Sequence, residues 1–313
     1  MTPSLQPFDA AIAASVREIS GITEGHGGPS DAHIVAGVRG FAREFNYWYI
    51  RVVGRAVPQY RKLIVGRINP FVRRVEFGGL DVYSCSERLV EDYARRNFVT
   101  AGGWALEAMA IDTSPSAQKS ATAGVDAQRV DPLTGDYHLY AFKSGTVTRN
   151  SDIIASIKQH GRKAERLIRQ NRSSGGVHLN YSILTGKTET GFEDGVYRPS
   201  SAETWSQMFD LPQEHALELA LAIAAEAGKL VRHDASVHLK ALMVLVAAHL
   251  EDAEHPGQMD WDFVARRSMQ AKSAWSAEDG ERHKRALLAL QETGYVPYTE
   301  ESEGDGDADH EEK

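Results

Sequence analysis

Apolar residues return along the chain in two different rhythms. Ile34, Val38, Phe41, Phe45, Trp48 and Val52 are spaced alternately four and three apart, which traces one face of a helix. Asp31 is placed to cap that helix and Pro58 to end it. Residues 104–111 (WALEAMAI) predict a short helix after a break at Gly102-Gly103. The rhythm then changes. Residues 124–131 and 136–143 read as two strands joined by the turn signal PLTG. Asn150 or Ser151 caps a helix running to about Arg172, and Ser173-Ser174-Gly175-Gly176 breaks it. Residues 177–184 (VHLNYSIL) alternate, with Val177, Leu179, Tyr181 and Ile183 on one side. The order here is helix, strands, helix, strand. Beyond it, stretches at 213–230, 235–250, 261–272 and 281–293 predict further helices with apolar faces. The chain therefore divides into a mainly helical region 1–100, a mixed region 101–200, a helical region 201–298 and a tail 299–313.

Composition narrows the classes. Hydrophobic residues make up 42% and charged residues 25% of 313, the balance of a soluble globular protein able to bury a core without staples. A single cysteine, Cys85, excludes a disulfide scaffold or a cysteine-rich zinc site. No apolar run reaches the ~18 residues of a membrane span. The first residues, MTPSLQPFDAAIAASVREIS, lack the basic and apolar regions of a secretory signal. A reducing, cytoplasmic setting is the expectation. The net charge is −8, but residues 300–313 hold eight acids and one lysine, so the rest of the chain is nearly neutral. The acidic balance thus reports the tail and does not exclude local basic surfaces for nucleic acid.

The chemistry concentrates in residues 124–145, GVDAQRVDPLTGDYHLYAFKSG. Asp126 lies in the first strand and Lys143 ends the second, so the two can meet at one end of a sheet. Glu107, on the helix upstream, can pack beside that end. Two carboxylates supply hard oxygen ligands for magnesium. A metal so held polarises a phosphate and acidifies a bound water. The Lys143 ammonium can orient that water or stabilise developing charge. Asp112 and Asp136 are poorer alternatives, and Asp136 belongs to the hairpin turn. His160 and His178 read as structural or exposed, Cys85 has no nucleophile motif, and Trp205 with Phe209 reads as core.

The stretches NPFVRR (69–74), GGWALEAMAI (102–111), GVDAQRV (124–130), YAFKSGTVTRNSDI (140–153) and VHLNYSILTGKTETG (177–191) together resemble the PD-(D/E)xK nuclease superfamily, and more closely the PmeII-like type II restriction endonucleases. About 140 residues are covered, with GVYRPSSAETWSQMFDL (195–211) extending the match. The resemblance implies an α/β fold, a restriction-endonuclease-like core with helical N- and C-terminal additions. It implies a magnesium-dependent endodeoxyribonuclease acting on double-stranded DNA in restriction or anti-phage defence. A DNA methyltransferase or another defence-system partner, and a homodimer, follow as expected partners. Glu107, Asp126 and Lys143 correspond to the catalytic set. The family pattern asks for an acid, or sometimes Gln, two residues before the lysine, where this chain has Ala141. Either Glu107 supplies the second carboxylate and the Phe142 carbonyl completes the metal shell, or the site is weakened. The second case describes a nuclease-fold DNA-binding module. A helical interaction subunit of a defence complex is the alternative from another class.

Charge patterning adds candidate DNA contacts. On a helical wheel Lys158, Arg162, Arg166 and Arg169 share one face, opposite Ile154, Ile157, Ala164 and Ile168. Such cations neutralise phosphates without reading sequence. Ser144, Thr146, Thr148, Arg149 and Asn150 form the loop before that helix and offer hydroxyl and backbone donors.

Overall fold

A computed structural model describes residues 6–22, 25–131, 133–145, 151–170, 175–231, 235–274 and 276–296. Along the chain the elements are α1 (Pro7–Ser20), α2 (Asp31–Leu63), α3 (Pro70–Phe77), α4 (Val82–Thr113), β1 (Ala117–Lys119), β2 (Ala127–Val130) and β3 (Tyr137–Lys143). They continue as α5 (Ser151–Gln170), β4 (Val177–Ile183), β5 (Gly191–Glu193), β6 (Val196–Arg198), α6 (Ser201–Phe209), α7 (Gln213–Gly228), α8 (Ala235–Leu250), α9 (Trp261–Met269) and α10 (Ser276–Glu292). Contacts group them into two units. One draws on residues up to Asn46 and on Thr100–Val231; the other draws on Tyr47–Val99 and on residues from Arg232 onward. The two units are thus interleaved along the chain, each drawing on an earlier and a later stretch. None of the described helices is long and apolar enough to cross a membrane.

The first unit is α/β. Its open sheet has the order β1-β2-β3-β4-β6-β5. β1, β2 and β3 run antiparallel in sequence, and β5 pairs antiparallel with β6. β3 and β4 are parallel, as are β4 and β6. Helices cover both faces. Ala127, Tyr140 and Phe142 face a core that includes Met109 and Ala110 of α4, Val38 of α2, Val16 of α1 and Trp205 of α6. On the other face Val125 and Leu139 pack on Ala164 and Ile168 of α5, and Ala141 packs beside Ile157. The wheel's apolar side of α5 is therefore the side that meets the sheet. Two glycines let α5 approach closely. A Cβ on Gly161 would lie 2.4 Å from Leu179, and one on Gly124 would lie 1.9 Å from the His160 ring.

The second unit is helical. Val53, Tyr60, Val90, Leu242, Leu245 and Phe263 belong to its core. Within it Tyr60 Oη lies 3.0 Å from His249 Nδ1, and His249 Nε2 lies 3.2 Å from Asp279 Oδ1. A neutral imidazole carrying its proton on Nε2 satisfies both contacts. Asp279 also receives Arg267 Nε at 2.8 Å and Arg61 at 2.9 Å. Burial alone would raise its pKa, but the hydrogen bonds from His249 and Arg267 hold it well below the usual carboxylate range.

Three local expectations are corrected. Asp31 is the first helical residue rather than the cap. The Ser30 carbonyl accepts from Ile34 N–H at 3.0 Å, while Asp31 pairs with Arg17 at 2.7 Å. Pro58 does not stop α2, which continues to Leu63. Buried Ala56, Val57 and Tyr60 around it supply packing that offsets the ~3 kcal/mol a helix-interior proline costs. Gly102 and Gly103 do not break α4, because the ~1 kcal/mol cost of each glycine is carried by a helix anchored through Ala101, Ala105 and Met109.

Candidate active site

The site grows from the start of β2. The Asp126 N–H donates to Tyr140 O at 2.8 Å, although the register sets Ala127 opposite Tyr140. Two residues thus stand opposite one, as in a β-bulge, a device that re-aims a side chain. The aimed carboxylate accepts the Phe142 N–H through Oδ2 at 2.7 Å. This charge-assisted bond fixes the aspartate beside β3. The Lys143 carbonyl accepts from Leu184 N–H at 2.7 Å. Carbonyls alternate along a strand, so that of Phe142 turns the other way, toward β2 and Asp126.

Glu107 comes from α4, on the flank next to its sheet-facing side. One turn earlier, a Cβ on Gly103 would meet Ser144 Oγ at 3.0 Å, so this stretch of α4 runs against the end of β3. Burial pushes the Glu107 carboxyl up to about 7, and the charge of Asp126 adds to the rise. Lys119, then Lys143, work in the opposite direction, and Glu44 reinforces the rise. Glu107, Asp126 and Lys143 are thus within electrostatic reach of one another. The neighbouring Asp112 is also raised, chiefly by burial, with Arg43 opposing. Its Oδ2 lies 3.7 Å from that guanidinium.

Lys143 is exposed at the end of β3. Strand alternation assigns it, with Leu139 and Ala141, to the α5 face. Ala141 borders a small apolar recess with Val125, Leu139, Ile157 and Gly161. An acid at that position would point among apolar side chains, away from α4. Lys119 and Glu44 were not singled out in the sequence. Both are contributed by elements whose approach to Glu107 has no local signal, a three-residue strand and the long α2.

The expected DNA contacts divide. Arg162 and Arg166 are exposed and make no ion pair among the described residues, and exposed Lys163 adds a cation. Lys158 lies 3.6 Å from Asp194 and Arg169 lies 2.8 Å from Glu165. Those two charges are already engaged. Ser144 is half-buried against α4, whereas Thr146, Thr148, Arg149 and Asn150 lie outside the described residues. Asp136 accepts from Gly176 N–H at 2.6 Å and holds His178 at 3.3 Å, a turn role. His160 packs over Gly124. Cys85, Trp205 and Phe209 are buried. Among the described residues no group of three or more His, Cys, Asp or Glu converges as a metal cage. In comparisons with known proteins, no family model and no curated protein matches the chain.

Proposed function

We propose that the chain is a magnesium-dependent endodeoxyribonuclease that hydrolyses phosphodiester bonds of double-stranded DNA in the cytoplasm, in restriction or anti-phage defence. The carrying observation is the coupled pair Glu107 and Asp126, set with lysines at one end of a mixed sheet. The resemblance of AFKSG and its surroundings to PD-(D/E)xK nucleases supports the same reading.

The donor set suits magnesium. This ion binds through one or two carboxylates and takes its remaining ligands from water and substrate phosphate. A half-buried carboxylate raised by desolvation, and further by a neighbouring carboxylate, is also what a dication relieves. Glu107 and Asp126 would hold the ion, with the Phe142 carbonyl on the same side. When bound, the ion supplies Lewis-acid polarisation of the phosphate and a more acidic water. The chain's own groups do the rest. The Phe142 N–H keeps Asp126 from turning away. Glu107, as a carboxylate, would be the ligand contributed by α4. Lys143 stabilises charge developing on the phosphate, and Arg162 and Arg166 offer phosphate contacts along α5. A methyltransferase would protect host DNA, and a homodimer would cut both strands.

The test is incubation of the full chain with unmodified plasmid and phage DNA, with magnesium or with a chelator, followed by sequencing of fragment ends. Cleavage that needs the metal and disappears in Asp126→Asn is expected. A folded protein that binds DNA without cutting it would overturn the nuclease reading in favour of a DNA-binding module. Absence of both would favour an interaction subunit.

A further inference from the structure

Lys119 closes β1 and stands opposite Ala127 in the antiparallel register. Residues paired this way project on the same face. Ala127 packs with Tyr140, Phe142 and the α4 residues Met109 and Ala110. Lys119 therefore belongs to the face from which Glu107 approaches. The next residue, Ser120, donates its N–H to the Asp126 carbonyl at 3.1 Å, which ties the end of β1 to the bulged aspartate. The Lys119 side chain is exposed and makes no ion pair among the described residues. Lys143, two residues beyond Ala141, stands on the opposite face. The end of the sheet thus carries one lysine on each face, with Asp126 between them.

A phosphate approaching Glu107 and Asp126 meets negative charge, to which Glu44 and Asp112 add. Arg43 already engages both of these latter acids. Among the described residues, Lys119 is a cation of the α4 face that no ion pair engages. We infer that Lys119 is a phosphate-binding residue of the Glu107–Asp126 centre, holding a DNA phosphodiester from the α4 face while Lys143 serves it from the other. The inference takes its ligand from the nuclease reading. It also makes a division of labour: Lys119 binds the substrate in its ground state, so its loss raises KM more than it lowers kcat.

Lys119→Ala, Lys119→Arg and Lys143→Ala are compared with the wild-type full chain. Binding to a short duplex is followed by anisotropy across a salt series with calcium replacing magnesium, and cleavage is followed with magnesium. Lys119→Ala is expected to bind roughly five- to tenfold more weakly near 0.1 M salt and to lower the log–log salt slope by about 0.9, one phosphate contact. Lys119→Arg should keep the slope, and Lys143→Ala should lose mainly kcat. A wild type that cuts, with Lys119→Ala unchanged in binding, slope and KM, overturns the inference and leaves the nuclease reading intact. Aggregation of Lys119→Ala with unchanged DNA binding in its soluble fraction also overturns it, assigning the lysine to edge-strand protection. A wild type that binds but never cuts refutes the nuclease reading, and the binding slope still decides Lys119. A wild type that neither binds nor cuts refutes both.

Discussion

Replacing Glu107 with glutamine should make the metal-free protein more stable at alkaline pH and leave it unchanged in acid. Burial and the charge of Asp126 raise the carboxyl from 4.5 to about 7. A raised pKa favours the folded state while the group is protonated. That advantage is complete below the unfolded value and is lost as pH rises through about 7. At ~1.36 kcal/mol per pKa unit, ionised Glu107 costs the fold up to ~3 kcal/mol near pH 8. Solvent reaching the partly exposed side chain screens this to about 1–2 kcal/mol. Glutamine keeps the shape and removes the charge. Magnesium provides the counter-test: bound by Glu107 and Asp126, it should stabilise the wild type by mass action and the variant much less. Urea unfolding at about pH 4 and pH 8, with and without magnesium, measures all four terms. The reasoning fails if the variant is no more stable than the wild type at pH 8. It also fails, for the metal, if magnesium stabilises both proteins equally.

Changing Arg162 and Arg166 together to glutamine should weaken binding to all DNA sequences alike and lower the salt slope by about 1.8 in anisotropy titrations; an unchanged slope would leave this face of α5 in solvent. Gly124→Ala should destabilise the first unit by about 2–4 kcal/mol in chemical denaturation, because the site has φ +81° and the new Cβ would strike the His160 ring. A loss under ~0.5 kcal/mol would show that α5 shifts freely. Asp279→Asn should cost about 3–5 kcal/mol by stranding Arg267 and His249 without their carboxylate. Its depressed pKa means that this pairing is present at neutral pH and is lost as pH falls below the usual carboxylate range, so wild type and variant should converge in acid-unfolding profiles.

Long periodic stretches were legible in the chain. The helix at 235–250, the strands around Tyr140 and Tyr181, and the apolar side of α5 follow from spacing alone, because one period persists for several turns or residues. Local punctuation misled. Pro58 and the Gly102-Gly103 pair read as breaks, but each penalty is a few kcal/mol and tertiary packing exceeds it. β1, β5 and β6 have three residues each, too few to display an alternation. At the candidate site, the acids and Lys143 could be picked out by residue type, and the structure brings Glu107 and Asp126 within reach of each other. The contribution of Lys119 was hidden, since it depends on the pairing of a strand that the pattern does not announce. The aim of Asp126 was hidden for a related reason: a bulge is a register event between two strands and leaves no mark on either one.

The interleaving of the two units bears on the order in which the chain can fold as it is made. The first unit needs α1 and the start of α2, and it also needs α6 and α7, which end near Val231 of 313 residues. Ile34 and Val38 are fully buried against those late elements' core, yet they leave the ribosome long before it is complete. At about 5–20 residues per second, the wait lasts on the order of ten to forty seconds. During that interval, residues 47–99 have emerged and likewise lack the α8–α10 segment of their own unit. Neither unit can close early, so the nascent chain carries two half-built apolar surfaces at once until the late segment of each has emerged.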